Sequence, residues 1–528
     1  MKGKRVISSI LVMVFLFLMV PGVRADNTSS ASQGNRFTLP HGVFYEIYVR
    51  SFTDANGDGD GDLAGIVSKL DYLNDGHPHA GKDLEVDGIW LMPITKSPSY
   101  HKYDVVDYYQ VDPQYGTLDD FRRLVHEAHK RGVKVIIDLV VNHTSNQHPW
   151  FVSASRDKNS PYRDYYIWAD ANTDIHEKGP WGQPVWHETF PGSGDYYYGL
   201  FWSGMPDLNY DNPRVREEII KIGKFWLKQG VDGFRLDAAK HIYPDTQEAK
   251  NHEWWNQFRR EMQKVKPNVY LVGEVWDAKE RVAPYYGELV TLFNFDLSGR
   301  ILQSLQQGQD AGIAALAAET GRMYADVNPR AIDAPFLTNH DQNRTMSVLN
   351  GDENKAKTAA AILLTLPGNP FLYYGEEIGM LGEKPDEYIR EPFRWYPGHG
   401  PGQTTWEEPR FNTRPNAVSV QAQMHDPDSL LHWYRQWIRL RHQHPALMYG
   451  TLQPLSVKEP QVAAYQRVSR GEQLTVLHNL SDQTATVTVP ADHRLRVVYA
   501  GPFDVQIRQN GPDQARVTLP AHTSALLK

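Results

Sequence analysis

The 528 residues contain no cysteine, which excludes disulfides and any lipid attached through a thiol. Stability then rests on buried apolar surface and on bound ions. An excess of one charge is also missing. The net charge of −8 is spread along the chain, and no basic stripe for nucleic acid is present. Long apolar runs are absent with one exception. "ISSILVMVFLFLMV", Ile7 to Val20, follows Lys2, Lys4 and Arg5 and precedes Val23-Arg24-Ala25, a small-x-small cleavage pattern. An uncleaved anchor is the alternative, but 14 residues are short for a span. We expect a signal peptide over 1–25 and a disordered leader over 26–40. The mature chain is then secreted and extracellular, a monomer without stable membrane association.

Aromatic residues are what the chain has in quantity, with 14 Trp, 28 Tyr and 19 Phe. Most will be core, but flat rings also serve as platforms for sugars. From residue 43 short apolar strands alternate with amphipathic helices. Eight strand candidates begin at Val43, Val86, Val133, Val231, Asn268, Leu292, Ala334 and Pro370. Continuous apolar strands alternating with helices predict an α/β fold, a (β/α)8 TIM barrel, over 41–143 and 207–448. The regularity breaks after the third strand. Residues 144–206 hold 14 aromatics in 63 positions and read as an inserted domain. From 449 to 528 the pattern becomes alternating strands, such as "QLTVLHNL" and "ATVTVP", which predict an all-β sandwich.

Four strand ends carry polar residues that packing does not require. "DLVVNH" places Asp138, Asn142 and His143; "GFRLDAAKH" places Arg235, Asp237, Lys240 and His241; "GEVW" presents Glu274; "FLTNHDQNR" presents His340 and Asp341. In such a barrel these ends face one pocket. Double-displacement glycoside hydrolysis needs one ionised carboxylate to attack and one protonated carboxyl to release the leaving oxygen. Arg235, two residues before Asp237 on the same strand face, favours the ionised form of Asp237. Singly, each residue reads as a strand-end salt bridge or cap.

A further acidic stretch, "DANGDGDGD", follows the first strand and alternates Asp54, Asn56, Asp58, Asp60 and Asp62 with glycines. Alternate oxygens on a tight turn can converge on a hard cation. It is not an EF-hand. The twelfth position is Gly65 rather than glutamate, and the preceding segment reads as a strand. A structural calcium site and a solvated acidic turn both remain open on this spacing.

In order and spacing the four strand-end segments resemble those of the α-amylase family of glycoside hydrolases, and the resemblance runs from about residue 41 to the C-terminus. It implies that Asp237 is the nucleophile, Glu274 the general acid/base and Asp341 the acid that stabilises the transition state. Arg235, His143 and His340 would surround the cleaved sugar, and Tyr103 in "HKYDVVDYYQVDPQYGT" would stack beneath it. Lys240 and His241 would lie on the leaving-group side. Relatives also bind calcium after the first strand, which implies Asp54, Asn56, Asp58, Asp62 and the backbone carbonyl of Asp60 as ligands. A second calcium site is implied at Asn142, Asp207 in "MPDLN" and the carbonyl of His241. Starch and maltooligosaccharides are the implied substrates. Relatives that capture a free chain end carry an acid three positions before the tyrosine, where this chain has Tyr100. An endo-acting α-amylase is the first reading. A maltogenic or neopullulanase-like transglycosylating enzyme is the second, and a glucan-binding protein without activity the third.

Overall fold

Eight short parallel strands form the centre of a computed structural model that describes residues 41–78, 82–413, 418–491 and 495–528. They are β1 (Phe44–Ile47), β2 (Gly88–Leu91), β3 (Lys134–Leu139), β4 (Gly233–Leu236), β5 (Tyr270–Gly273), β6 (Thr291–Phe293), β7 (Ile332–Ala334) and β8 (Phe371–Tyr373). Consecutive strands pair from β1 to β7, and β1 also pairs with β8. The last seam closes through one parallel bridge between Phe336 and Phe371. The expected signal peptide and leader lie outside the described residues. Among the described residues no helix is long and apolar enough to cross a membrane.

Two strands are shorter than the sequence pattern implied. The segment from Leu292 stays extended only to Phe293, because the Asn294 side chain accepts from the Leu297 amide and starts a helix, α5 (Phe295–Gln307). The strand expected from Ala334 ends there, and beyond it only the Phe336 bridge continues the pairing. Elsewhere the helices fall between strands: α1 (Leu63–Leu73), α2 (Leu118–Lys130), α3 (Pro213–Lys228) and α4 (Glu248–Gln263) before α5, then α6 (Ile313–Val327), α7 (Glu353–Thr365) and α8 (Leu430–Gln443).

Aromatic rings fill the barrel's interior. Phe44 stacks between Tyr270 at 5.0 Å and Phe371 at 4.9 Å, with Trp90 and Phe293 in the same cluster. Strands crowd so closely that a Cβ on Gly233 would stand 1.7 Å from the Tyr270 carbonyl oxygen, so only glycine fits there. The insertion leaves and rejoins the barrel at an antiparallel bridge between His143 and Asp207. It holds a short helix, Pro149–Arg156, and a small hairpin pairing Trp186–Glu188 with Tyr196–Tyr198.

The C-terminal region contains two antiparallel sheets. One has five strands, β9 (Thr451–Pro454), β10 (Val462–Ser469), β11 (Glu472–Asn479), β13 (Val497–Gly501) and β16 (Ser524–Leu527). The other has three, β12 (Ala485–Pro490), β14 (Gln506–Gln509) and β15 (Gln514–Leu519). Val462, Leu477 and Leu527 from the first share one core with Val487, Val517 and Leu519 from the second, which makes a sandwich.

Two buried arginines lie near the junction of sandwich and barrel, and Arg467 crosses it. Arg441 of α8 donates to the carbonyls of Leu364, Leu366 and Gly368, and Arg467 of β10 donates to those of Thr365, Leu447 and Gly450. Between them they satisfy carbonyls at the end of α7 that no intrahelical amide can reach. Arg467→Ala leaves three buried acceptors without this donor and should lower unfolding stability by about 3 kcal/mol or more. Denaturant titration checks this, and an unchanged midpoint would contradict the role.

Candidate active site

A cavity of about 780 Å³ opens at the C-terminal ends of the strands. Its floor carries Asp237, Glu274 and Asp341, and its sides include Tyr103, His143, Lys240 and His241. Arg235 lies beneath, 1% exposed. Parallel register sets Asp138 of β3 directly beside Arg235 of β4, so three neighbouring strands converge on one guanidinium. Arg235 Nη1 donates to both Asp138 oxygens, at 3.1 and 3.2 Å, and to Asp237 Oδ1. Nη2 pairs with Glu274 Oε2 at 2.9 Å.

Arg235 is therefore shared by three carboxyl groups, where the sequence pointed to Asp237 alone. Burial pushes the Glu274 carboxyl up, and Asp237 and Asp341 add to the shift while Arg235 opposes it. That environment favours a proton on Glu274. Its Oε2 also accepts from the Ala238 amide at 2.9 Å. Ala238, with φ of 46°, is held in the left-handed region directly after Asp237, a local strain of the kind found at functional sites.

A second network surrounds Asp341. His340 Nε2 approaches Asp341 Oδ2 at 3.1 Å, and His340 Nδ1 approaches Glu46 Oε1 at 2.5 Å. Arg390 Nη2 donates to Asp341 Oδ1 at 3.0 Å. Burial raises the Asp341 carboxyl, but His340 and Arg390 overcome it and hold the group well below the usual carboxylate range. For His340 burial acts downward, and Asp341 and Glu46 more than offset it, leaving the imidazole at about 10. Tyr103 connects the two networks. Its ring stacks on His340 at 5.5 Å, and its hydroxyl reaches Asp138 at 2.9 Å and His340 at 2.6 Å.

The remaining residues expected around the sugar also reach the cavity. His143 Nε2 lies 3.1 Å from the Tyr103 carbonyl, and burial lowers its basicity. Lys240 pairs with Asp277 at 2.6 Å. Several lining residues had not been singled out from sequence: His101, Trp181, Trp276, Lys384, Asp386 and Arg390. His101 lies two residues before Tyr103, a signal that was available. The last three come from the long connection after β8, where no strand end marks them.

The acidic loop fits a hard cation through its donor set. Asp54 accepts from the amides of Gly57 (2.6 Å) and Gly59 (2.9 Å), Asn56 from that of Asp58 (2.9 Å), and Asp58 from that of Asp60 (2.9 Å). Asp62 accepts from Ala55 at 2.9 Å and caps α1 through Gly65 at 2.7 Å. Each oxygen keeps a lone pair beyond these bonds. The Asp60 carboxylate turns away to Arg50 at 2.7 Å and to Gln114, so only its backbone carbonyl can serve as a ligand. At the second position, burial pushes Asp207 up to about 8, opposed by the Leu200 amide and Asn142. It has no basic partner among the described residues, which suits a cation there. The His241 side chain opens to the 780 Å³ cavity instead. Among the described residues, three carboxylate or imidazole donors gather within 4.8 Å only at Asp352, Asp482 and His522.

Residues 46–450 match the family profile described as "Alpha amylase, catalytic domain", and residues 462–526 match "Alpha-amylase SusG C-terminal domain". The chain belongs to the α-amylase family. It is similar to Alpha-amylase 3 of Dictyoglomus thermophilum, 47% identical over 440 residues that cover 83% of this chain and 84% of that one. The 4-alpha-glucanotransferase of Thermotoga neapolitana is 38% identical, over 83% of this chain and 96% of that one. The solved alpha-amylase of H. orenii shares the fold with a TM-score of 0.87 and 50% identity, covering 92% of this chain and 99% of its own.

The His340 pair makes a pH prediction. Its folded value of about 10 lies above the ordinary 6.5 of an imidazole, so the folded state holds the extra proton between them. This stabilisation is complete below about pH 6.5 and is lost as pH rises through about 10. The stability gap between wild type and His340→Asn should therefore narrow across that window. A gap that stays constant, measured by denaturant midpoints at each pH, would contradict the pairing.

Proposed function

We propose that the protein is a secreted, endo-acting α-amylase that hydrolyses α-1,4-glucosidic bonds in starch and maltooligosaccharides with retention at the anomeric carbon. The observation that carries this reading is the convergence of two carboxyl groups on Arg235. Asp237 and Glu274 both contact the guanidinium, and burial pushes Glu274 toward its protonated form. Asp237 attacks the anomeric carbon as the glycosidic C–O bond breaks, and Glu274 passes its proton to the departing oxygen. Glu274, now a carboxylate, takes a proton from water as that water cleaves the glycosyl–Asp237 ester. Asp341, kept ionised by His340 and Arg390, offsets the positive charge that develops on the ring. Similarity to proteins named alpha-amylase supports the hydrolytic reading.

A transferase reading has one specific observation in its favour. Trp276, two residues after Glu274, is 49% exposed and stacks on Phe295 at 4.4 Å. Trp181 is 61% exposed and lies 6.0 Å from the His241 ring. Open indoles on the leaving-group side would hold a sugar acceptor in place of water, and a glucanotransferase is among the relatives. Product analysis on starch, β-limit dextrin and pullulan separates the two. Early mixed maltooligosaccharides without longer transfer products support the amylase, and chain-lengthened products from maltotriose favour transfer.

Calcium enters this reading as scaffolding. Asp54, Asn56, Asp58, Asp62 and the carbonyl of Asp60 would hold one ion, and Asn142, Asp207 and the carbonyl of His241 a second. A bound ion supplies positive charge that fixes the loop after β1, and no reacting atom depends on it.

Asp237→Asn should lose nearly all turnover while still binding maltooligosaccharides, because an amide keeps the shape but cannot attack. Glu274→Gln should fall by about 10²-fold or more on starch and much less on glucosides whose leaving group needs no proton. Equal losses on both substrate classes would remove Glu274 from the acid role. Chelation should lower the melting temperature by several degrees while brief assays below it keep their rate. Asp58→Ala should reproduce much of that loss, and a variant that melts like wild type at saturating calcium would make the loop a solvated turn only.

A further inference from the structure

We propose that the protein has a second, non-catalytic α-glucan binding site in the cleft between α8 and β13, where the barrel meets the sandwich. The ligand class rests on the α-glucan reading above; the site itself rests on the cleft. Its volume is about 500 Å³, within the usual range of small-molecule sites. None of its lining residues also lines the catalytic cavity.

Three aromatic side chains border the cleft. The Trp433 indole is fixed by donating to the Lys357 carbonyl at 2.6 Å. Tyr499 is held against it at 6.0 Å and edge-on to Trp437 at 5.3 Å. Phe503 stands at the rim, 53% exposed. Its ring is therefore accessible to a ligand at the cleft mouth.

The polar groups fit a neutral, hydroxyl-rich ligand. The Tyr499 hydroxyl and the Gln436 amide line the cleft with no hydrogen-bond partner among the described residues. His432 bonds Ser429 through Nδ1 at 3.0 Å, and burial, with Arg435, lowers its basicity, so it faces the cleft neutral. The lone cation, Lys357, is already held by Glu353 at 2.9 Å and by the Asp428 carbonyl at 2.6 Å. The cleft therefore offers rings, uncharged hydrogen-bonding groups and the acidic residue Asp428, which can accept from a hydroxyl, without a free positive charge. A phosphate or an acidic peptide finds no counter-charge there. A glucose unit presents an apolar C–H face to a ring and hydroxyls to the amide and the phenol, which matches this set.

Titration calorimetry with maltoheptaose on Asp237→Asn, which prevents turnover, tests the site. Two binding events are expected. Adding Phe503→Ala or Gln436→Ala should weaken one of them about tenfold and leave the other unchanged. Tyr499→Phe, which keeps the packed ring and removes only the hydroxyl, should weaken the same event. Turnover of maltotriose by the three single variants in the otherwise wild-type chain should stay at the wild-type rate. A single binding event in Asp237→Asn, or a second event that survives all three substitutions, overturns the proposal. If maltotriose is cleaved while only one event is seen, the cleft fails and the hydrolase reading stands. If two events are seen in a chain that neither cleaves nor transfers glucans, the cleft stands and the hydrolase reading fails.

Discussion

The Arg235 guanidinium, buried under the catalytic cavity, is the constraint on which the site depends. Removing an arginine and its carboxylate partners from water costs several kcal/mol per ion unless the geometry is good and the remaining hydrogen-bonding groups are met. Here Asp138, Asp237 and Glu274 meet two nitrogens of one guanidinium, and the ring of Trp90 lies 5.2 Å from its carbon. Such an arrangement is available only where three adjacent parallel strands end at the same height. The closed barrel provides that alignment, and the rings of Phe44, Tyr270 and Phe371 hold its interior rigid.

A second charged network lies beside the first and is linked to it. Glu46, His340, Asp341 and Arg390 run from β1 to the connection beyond β8, across the seam that one bridge closes. Tyr103 joins the two, since its hydroxyl reaches Asp138 in one and His340 in the other. The two networks place opposite demands on their carboxyl groups. Burial, with Asp237 and Asp341 nearby, drives Glu274 toward its neutral form against the pull of Arg235, while Asp341 has a histidine and an arginine and stays ionised. One pocket thereby holds a carboxyl favoured in its protonated form beside a carboxylate kept ionised.

The strand-end polar residues were legible because a barrel strand is apolar on both faces, so an acid or an arginine at its end has no packing reason to be there. Asp237, Glu274 and Asp341 could be read that way, and so could the alternation of apolar strands with helices. Glu46 could not, since one acid within an aromatic strand reads as an ordinary pair. Arg390 follows Asp341 by 49 residues and belongs to no repeating pattern, so only folding brings them together. Where the sequence pointed to extended chain after Phe293, the Asn294 cap decided for helix, a local hydrogen bond that apolar periodicity does not register. The role of Asp60 divides in the same way: alternation marks it as a ligand, while Arg50 takes its carboxylate and leaves the carbonyl.

In the proposed mechanism Asp237 forms a covalent bond to the sugar while Glu274 carries the proton. Proton NMR of the first product released from maltopentaose, read before mutarotation, tests it most directly. Two inversions at the same carbon predict that the α-anomer appears first and the β-anomer grows in later. A first-formed β-anomer would mean that water attacks directly and that the arrangement around Arg235 serves a different chemistry.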